Sequence, residues 1–469
     1  MSKHETLFTS QHSWSSSRLT RLLKTLLKLY HLFGIISLPS YHAQSWKSKV
    51  HRFYSRCVIF LNNTGTVCVL SSTFIYSVHD EAEFVQKLFE MCMVLFLLLE
   101  INLFRASLGE LLELVHHLEN VSCKSHMKAV LLRKRQDGRL IYLVVYAFVI
   151  MCTALQIVPL LPKSPEELET NRRIYNLSHP NNVLPVPMYI PLVDTSEPQM
   201  YPCMYVLNMY LCVLTMFNGI ASNVTFPLLV HLILLQYEVL SNYIRQIGVQ
   251  HTNANGRRIY YTNIRRGDFI EHRTQGIRGC IKTHHDRQGC NEAHEKDFIR
   301  LNRLFQKQGN LYEYYYLKQV IDFNIELFRM RKKIDSYSKV NVPLHASFLA
   351  GGILLCTYQF LRPELFSARI YIKIIMEALI FSVCFLTFCH YGEVLARCNS
   401  SLNSALWNSQ WYGCSTGVRK SMVMMLRRNH KFDYTPVLKG LVECNHIFMI
   451  TAYKFSYSVF NIISMRFKK

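Results

Sequence analysis

The stretch LIYLVVYAFVIMCTALQIVPLL, residues 140–161, decides the fold class of this chain. It carries no charged side chain from end to end. An α-helix of about 20 apolar residues is long enough to cross the hydrocarbon core of a bilayer. Residues 140–161 therefore predict a membrane-spanning helix.

Six further segments have a similar length and apolar character. They cover residues 57–78, 85–107, 205–234, 342–361, 370–391 and 441–465. A soluble protein with a buried helical core is the alternative, but seven apolar segments of this length are too many for one. We expect an all-α membrane protein with seven transmembrane helices.

Charged residues interrupt the second, the sixth and the seventh of these segments. They are Lys87, Glu90, Glu100 and Arg105 in the second, Lys373 and Glu377 in the sixth, and Glu443 and Lys454 in the seventh. Ionisable side chains at membrane depth almost always face a bundle interior or a cavity. We therefore expect these side chains to point away from lipid.

The distribution of basic residues predicts the orientation. Of the 53 Lys and Arg residues, 41 lie in the N-terminus and the second, fourth and sixth loops between spans, and eight lie in the other loops and the C-terminus. Because Lys and Arg accumulate on the cytoplasmic side, we expect a cytoplasmic N-terminus and an extracellular C-terminus. The net charge of +22 then reflects topology and contact with anionic lipid, and we expect no nucleic acid among the partners.

The spans divide the chain into five parts. They are a cytoplasmic N-terminus (1–56), spans 1–4 (57–248), a polar insertion (249–297), a cytoplasmic helical segment (298–341) and spans 5–7 (342–469). Within 1–56, residues 19–38 are amphipathic and predict a helix in the inner interface, with a loosely packed start of the bundle as the alternative. The chain begins without the pattern of a cleavable signal peptide.

The loops differ in character. The outer loop 162–204 is rich in proline and holds Asn176 in a glycosylation sequon. Residues 298–341 carry apolar side chains at three- and four-residue spacing and predict a helix. Residues 249–297 are polar and lack an apolar period, so we expect an unstructured insertion.

Cysteine and histidine residues of the kind that bind metal ions lie close together in that insertion. They are Cys280, His284, His285, Cys290 and His294. A zinc site is one interpretation, but the spacing matches no common structural site. The chain also lacks a phosphate-binding glycine loop and an H-E-x-x-H motif. We therefore expect no metal, no cofactor and no enzymatic activity.

Four stretches resemble the motifs of one family of seven-span proteins. They are LPVPMYIPLVD (184–194), residues 317–328, YGEVLARCNSSLNSALWNSQWY (391–412) and KFSYSVFNIISM (454–465). Read in this order on this topology, they resemble insect odorant receptors. The chain departs from the family pattern in its insertion 249–297, in Tyr189 where the family has Trp, and in Asn324 where the family has His.

The resemblance implies an odorant-gated, non-selective cation channel subunit in the plasma membrane of sensory neuron dendrites. In that family a tuning subunit forms a heterotetramer with a shared co-receptor, and the co-receptor's last-helix sequence is absent here, so the chain resembles a tuning subunit. Tyr457, Phe460 and Ile463 map onto the pore face, and their spacing puts them on one side of a helix. Ordinary lipid or helix packing is the alternative for these three residues.

The same resemblance places an odorant pocket in the outer halves of spans 2, 3, 4 and 6. Its candidate lining is Met91, Leu95, Ile150, Thr153, Ala154, Met209, Val213, Phe217, Ile374 and Phe381. An apolar lining with few polar groups suits a small volatile ligand. Each of these residues is alternatively plain bundle core, and Thr153 offers a lone hydroxyl.

Other classes of protein remain as alternatives. A gustatory or orphan chemoreceptor would share the channel fold, although the gustatory ending is absent. A G-protein-coupled receptor would have its N-terminus outside the cell, opposite to the predicted orientation. A transporter is also an alternative, but the sequence shows no inverted repeat.

Overall fold

The computed structural model shows a bundle of long α-helices. It describes residues 18–37, 46–124, 146, 149, 150, 153, 165–175, 177–179, 182, 184, 186–191, 193–252, 256–265, 268–271, 305, 309–360, 368–429, 436–437, 442–443 and 445–467. Four predictions fall wholly or mostly outside these residues. They are span 140–161, Ala154, the sequon at Asn176 and the zinc interpretation of residues 280–294.

The described helices follow one another along the chain. They are α1 (Arg18–Leu32), α2 (Trp46–Ile75), α3 (Glu81–Ala106), α4 (Leu108–Lys124), α5 (Pro165–Tyr175), α6 (Tyr201–Arg245), α7 (Gly309–Phe360), α8 (Ala368–Trp407), α9 (Thr416–Asn429) and α10 (His446–Phe467). Single 3₁₀ turns lie at Ser77–His79 and Trp411–Gly413. Two short hairpins pair β1 (Ile259–Asn263) with β2 (Asp268–Glu271), and β3 (Pro436–Val437) with β4 (Val442–Glu443).

Helices α6, α7 and α8 form the centre of the bundle and pack on one another. At 1.5 Å per residue, the 52 residues of α7 extend about 78 Å and the 40 residues of α8 about 60 Å. A bilayer core is about 30 Å thick. These helices are therefore much longer than a membrane requires.

Helix α7 continues without a break across residue 341, where the prediction placed the boundary between the cytoplasmic helix and the fifth span. Buried residues recur at helical spacing on both sides of that position. They include Leu317, Val320, Phe323, Leu327, Met330, Ile334, Ala346, Leu349 and Ile353. The spacing correctly predicted the helix, but it carried no signal that would have separated the two parts.

Three described helices have the length and apolar composition to cross a membrane by themselves. They lie within Ser48–His79, Tyr201–Arg245 and Ile370–Trp407. Glu83–Ala106 and Leu108–His117 meet with a bend of 58° and together make a fourth candidate. These four agree with the predicted spans 1, 2, 4 and 6.

The N-terminal amphipathic segment forms α1. Leu23, Leu27 and Tyr30 are almost completely buried, and the helix packs against α6. The apolar face of α1 therefore lies on the bundle, which favours the packed interpretation of this segment.

The prediction of an unstructured insertion is wrong for residues 256–271. Tyr260 pairs with Ile270 and Tyr261 with Phe269 in the β1–β2 hairpin. The hairpin packs on the start of α7, where the Ile264 amide donates to Gln319 Oε1 at 2.8 Å. The strands β1 and β2 have only five and four residues, too few to register in a search for periodic apolar residues. The remainder of the insertion lies outside the described residues.

Gly248 joins the end of α6 to the turn between α8 and α9. Its φ of +80° lies in the left-handed region, and a Cβ there would overlap the backbone carbonyl of Gln410. The amide of Gln410 in turn donates to the carbonyl of Ile247 at 3.1 Å. Only glycine satisfies both the backbone angle and this close approach.

Candidate functional site

The described part of the loop between α5 and α6 covers one end of the bundle, which we call the outer end, and we call the opposite end the inner end. Asn208 of α6 fixes this loop, since its amide donates to the Val186 carbonyl at 2.8 Å and its Oδ1 accepts from the Val186 amide at 3.2 Å. The amide of Tyr189 donates to the carbonyl of Cys68 in α2 at 3.2 Å. The motif-bearing loop is therefore pinned to two helices.

A cavity of about 270 Å³ lies between this loop and the helices. Tyr76, Tyr175, Leu184, Met188 and Asp194 are among its lining residues. Burial alone would raise the pKa of Asp194, but hydrogen bonds from Ser178 and Ser196 more than offset it and hold that pKa below its usual range. The cavity thus combines aromatic walls with one ionised carboxylate.

A group of polar side chains lies behind Tyr175, between α3, α7 and α8. We call it the outer polar cluster, and it comprises Glu83, Gln86, Lys87, Glu90, Gln359, Lys373 and Glu377. The Tyr175 hydroxyl donates to Glu83, which links the cavity wall to the cluster. Lys87, Gln359 and Glu377 are all less than a tenth exposed.

Glu90 is the centre of the outer polar cluster. The Lys87 ammonium donates to its Oε2 at 2.6 Å, and the Lys373 ammonium donates to its Oε1. Gln86 lies 3.4 Å from Glu90 and accepts from Gln359 Nε2 at 3.2 Å. The cluster therefore ties α3 to α7 and α8 at once.

An aromatic column continues from the cluster toward the middle of the bundle. The ring of Phe381 lies 5.7 Å from that of Phe89 and 5.6 Å from that of Phe348. Phe348 stacks on Phe96 at 3.6 Å. A Cβ on Gly352 would come within 2.7 Å of the Phe381 ring, so this glycine gives the ring its room.

A second buried polar contact lies below the column. His345 Nδ1 is 2.5 Å from Glu100 Oε1, and His345 Nε2 is 2.8 Å from Asn223 Oδ1. These contacts join α3, α6 and α7. Glu100, Glu377 and Lys87 are buried within the bundle, which confirms for them that the charges within the predicted spans avoid lipid.

The predicted pocket residues fall into different environments. Met91, Ile374 and Phe381 are buried beside the outer polar cluster and the aromatic column. Leu95 is 40% exposed and Ile150 is 66% exposed. The structure thus buries the span 2 and span 6 candidates Met91, Ile374 and Phe381, and leaves Leu95 and Ile150 toward the outside of the single chain.

The remaining candidates line the α6 side. Thr153 Oγ1 donates to the Val149 carbonyl at 2.8 Å and lies 3.8 Å from the sulfur of Met216. Phe217 packs against Phe33, with 4.1 Å between ring centroids, and so lies near the end of α1. Met209 and Val213 are half-buried on α6.

The amide members of the outer polar cluster were missing from the sequence prediction. Gln86 and Gln359 belong to different predicted spans, and no local pattern indicates that they meet. Of the charged members, Lys87, Glu90, Lys373 and Glu377 were predicted only as residues that must avoid lipid, and Glu83 was not predicted. Two charges on neighbouring turns of a predicted span, as at Lys87 and Glu90, are the signal that identifies such a cluster.

Helix α10 contains the three predicted pore residues. Its Phe448 and Tyr453 pack against Phe385 of α8, at 5.5 and 6.3 Å between ring centroids. Tyr457 is 66% exposed, and its ring lies parallel to that of Phe460 at 6.5 Å. Ile463 lies on the same helix, which has one face on the bundle and one face open in the single chain.

The inner ends of α6 and α7 meet around His251. Its Nδ1 lies 2.6 Å from the Tyr312 hydroxyl and its Nε2 lies 3.0 Å from the Gln246 carbonyl. Burial lowers the pKa of His251 and raises that of Tyr312. The Tyr312 hydroxyl also accepts from the Tyr261 amide at 3.0 Å, so the β1–β2 hairpin belongs to this contact.

The sequence matches the 7tm Odorant receptor family over residues 80–432, and the chain belongs to that family. The predicted resemblance is therefore confirmed. No curated protein matches the sequence significantly.

Two solved structures share the fold. The insect olfactory receptor OR5 from Machilis hrabei is 11% identical and superposes with a TM-score of 0.64, over 95% of this chain and 98% of that chain. The same receptor in complex with eugenol is 13% identical, with a TM-score of 0.60 over 96% of this chain and 98% of that one. At this identity the likeness establishes the fold.

Proposed function

We propose that this chain is the tuning subunit of an odorant-gated, non-selective cation channel that works with the odorant co-receptor. The observation that carries the proposal is membership of the odorant receptor family together with a fold shared over almost the whole length of an olfactory receptor. The site of action is the plasma membrane of sensory neuron dendrites.

The proposed topology has seven spans, with the N-terminus inside the cell. The distribution of Lys and Arg supports this orientation. The four described candidates for spans agree with it in position. An epitope placed before α1 is then inaccessible to antibody in intact cells.

The proposed ligand is a small volatile molecule held in the outer half of the bundle. Eugenol, which the Machilis hrabei receptor binds in its complex, is a ligand of this kind. Phe89, Phe381 and Phe348 provide aromatic surface between α3, α8 and α7. Aromatic and apolar walls with a few polar groups suit such a ligand.

Helix α8 supplies the coupling between ligand and pore. Phe381 faces the aromatic column, and Phe385, one turn further along, packs on Phe448 and Tyr453 of α10. A ligand that fits better when α8 is displaced therefore favours a displaced α10. Channel opening is then a shift of population toward the conformation that binds ligand more tightly.

The proposed pore face of α10 comprises Tyr457, Phe460 and Ile463. In a heterotetramer with the co-receptor, the open side of α10 would face the central axis. Bulky apolar side chains at a constriction close a pore by excluding water.

Whole-cell recording tests the proposal. Cells that express this chain with the co-receptor should give a rapid cation current to volatiles, and the current should persist when G-protein signalling is blocked. Cells with either subunit alone should not give the same response profile. A response that needs G proteins and no co-receptor would contradict the proposal. A response without the co-receptor that needs no G protein would point to a chemoreceptor acting alone.

A further inference from the structure

The outer polar cluster contains more negative than positive charge. Three carboxylates, Glu83, Glu90 and Glu377, share the two ammonium groups of Lys87 and Lys373. Glu90 has close contacts to both lysines, whereas Lys373 lies 3.8 Å from Glu377, beyond hydrogen-bond distance. Glu83 lies 3.9 Å from Lys87 but accepts from the Tyr175 hydroxyl, so among the described residues Glu377 is the carboxylate of the three to which no hydrogen bond is donated.

Two buried acceptors in this cluster lack a hydrogen-bond partner among the described residues. They are Oε2 of Glu377 and Oε1 of Gln359. Glu377 is 4% exposed and Gln359 is 1% exposed. Buried acceptors without a donor are costly, and at membrane depth they mark sites where a partner binds.

The surroundings of Glu377 suit a molecule with one cationic end and one apolar end. On α8, Ile374 lies one turn before Glu377 and Phe381 lies one turn after it, and both are buried. Tyr175 separates the outer cavity of about 270 Å³ from the cluster, and its hydroxyl donates to Glu83.

We propose that the outer polar cluster binds the ammonium group of a small aliphatic amine, with Glu377 as its counter-ion and Gln359 as a second acceptor. The amine's alkyl chain packs against Phe381 and its aromatic neighbours. This rests on the proposed function, because it names the chemical class of the ligand that the receptor detects.

The chemistry of an ammonium group matches what the cluster lacks. It supplies one positive charge, so that the two lysines and the ligand together balance the three carboxylates. It also supplies several N–H donors, enough for both unpartnered acceptors. Hydrogen bonds between ionised partners are about twice as strong as neutral ones, so an alcohol of the same length gains less at this site.

A binding experiment on the full-length chain in lipid nanodiscs tests this inference without a need for channel opening. The unfolding temperature is followed while hexylamine, hexanol or sodium chloride is added. Hexylamine should raise it at lower concentration than hexanol, and sodium chloride at the same concentration should have no such effect. Equal effects of hexylamine and hexanol, or of hexylamine and sodium, would overturn the proposal.

Glu377→Gln removes the counter-ion with little change in shape. We expect it to weaken hexylamine binding by about tenfold or more, in line with loss of a charged hydrogen bond. Glu326→Gln is the matched control. Glu326 lies on the inner part of α7, away from the outer polar cluster, and forms an ion pair with Arg265. If Glu377→Gln binds hexylamine as tightly as the control, the proposal is wrong. If Glu377→Gln does not fold, Gln359→Met decides the question with the same expected direction.

Recording from cells with the co-receptor separates the two proposals. Currents evoked by neutral volatiles, together with absence of hexylamine binding to nanodiscs, would leave the channel proposal standing and refute the amine site. Hexylamine binding that Glu377→Gln weakens, without any current, would support the amine site and contradict the channel.

Discussion

The outer and the inner contacts of the helix bundle are built from different chemistry. At the outer end, Glu377 and Gln359 have buried acceptor atoms without donors, and the carboxylates outnumber the ammonium groups. At the inner end, the contact around His251 joins neutral groups. Both nitrogens of His251 have partners, and the Tyr316 hydroxyl donates to the Tyr243 carbonyl at 2.9 Å, while Oε1 of Gln246 lacks a partner among the described residues. A buried charge without a donor costs more than a neutral group without one, so the outer end leaves more interaction energy for a ligand.

This difference assigns separate roles to the two ends. The inner end holds α6, α7, α8 and the β1–β2 hairpin in one arrangement. In the proposed function, the outer end is where ligand binding changes the balance between conformations. Substitutions at the inner end should therefore act mainly on stability, and substitutions at the outer end should act on both stability and ligand response.

Gly248→Val, at the inner end, should reduce the yield of folded receptor more than any other substitution described below. Valine adds strain at a φ of +80° and overlaps the Gln410 carbonyl, so we expect loss of most of the folded receptor. The measurement is the monodisperse fraction in size-exclusion chromatography of solubilised protein.

Gly256→Val is the control for that change. Gly256 has a similar φ of +72°, but its Cβ would meet no atom of the described chain within 4 Å. It should cost about 1–3 kcal/mol from backbone strain alone. Equal losses for the two variants would show that the contact between Gly248 and Gln410 has no role.

Lys373→Met tests the outer end and should have the next largest effect. It removes one of two ammonium groups from the outer polar cluster and leaves buried carboxylates with a single counter-ion. Breaking a buried ion pair in this way costs about 3–5 kcal/mol. Thermal unfolding in nanodiscs measures it, and Lys318→Met, at an exposed position of α7, serves as control. An unfolding temperature equal to that of the control would show that the outer charges are solvated.

Tyr312→Phe tests the inner end, because it removes a hydroxyl group that two other residues contact. Without its hydroxyl, the Tyr261 amide and His251 Nδ1 both lose a partner. We expect a loss of about 1–3 kcal/mol in the free energy of unfolding. The control is Tyr314→Phe, since Tyr314 is 55% exposed. If the two variants are equally stable, the contact of the hairpin with α7 does not contribute to stability.

The pH dependence of stability should show the smallest effect. Burial lowers the pKa of His251 in the folded protein, so the unfolded chain binds a proton more readily. His251 thus favours the folded state at a pH above its ordinary pKa of about 6.5, and that contribution is lost as the pH falls through the lowered value. The unfolding temperature should decline less steeply between pH 7.5 and pH 5.5 in His251→Gln. An identical decline in both proteins would contradict the role of His251.

Patterns within one segment predicted much of the fold. Regular spacing predicted the helix around Leu317, Val320 and Leu327, and the apolar face of α1, because a helix buries residues every three or four positions. The hairpin at 259–271 was missed because its order comes from contacts with Tyr312 and Gln319, far along the chain.

The candidate site shows the same limit. Charges within the predicted spans indicated that Lys87 and Glu377 must be buried, but the sequence does not state which charge meets which. Their pairing depends on how α3, α7 and α8 pack, and that is a property of the whole bundle. Gln359 carries no charge and so gave no signal at all.

If this chain forms part of an odorant-gated cation channel, a change on the proposed pore face of α10 should alter ion permeation. The measurement is the reversal potential of the volatile-evoked current, with calcium outside and sodium inside, for Tyr457→Ala together with the co-receptor. Phe455→Ala is the control, because Phe455 is also exposed but lies nearly opposite on the helix. We predict a shifted reversal potential for Tyr457→Ala and an unchanged one for Phe455→Ala. An unchanged reversal potential in both, with intact currents, would contradict the placement of this chain at the pore.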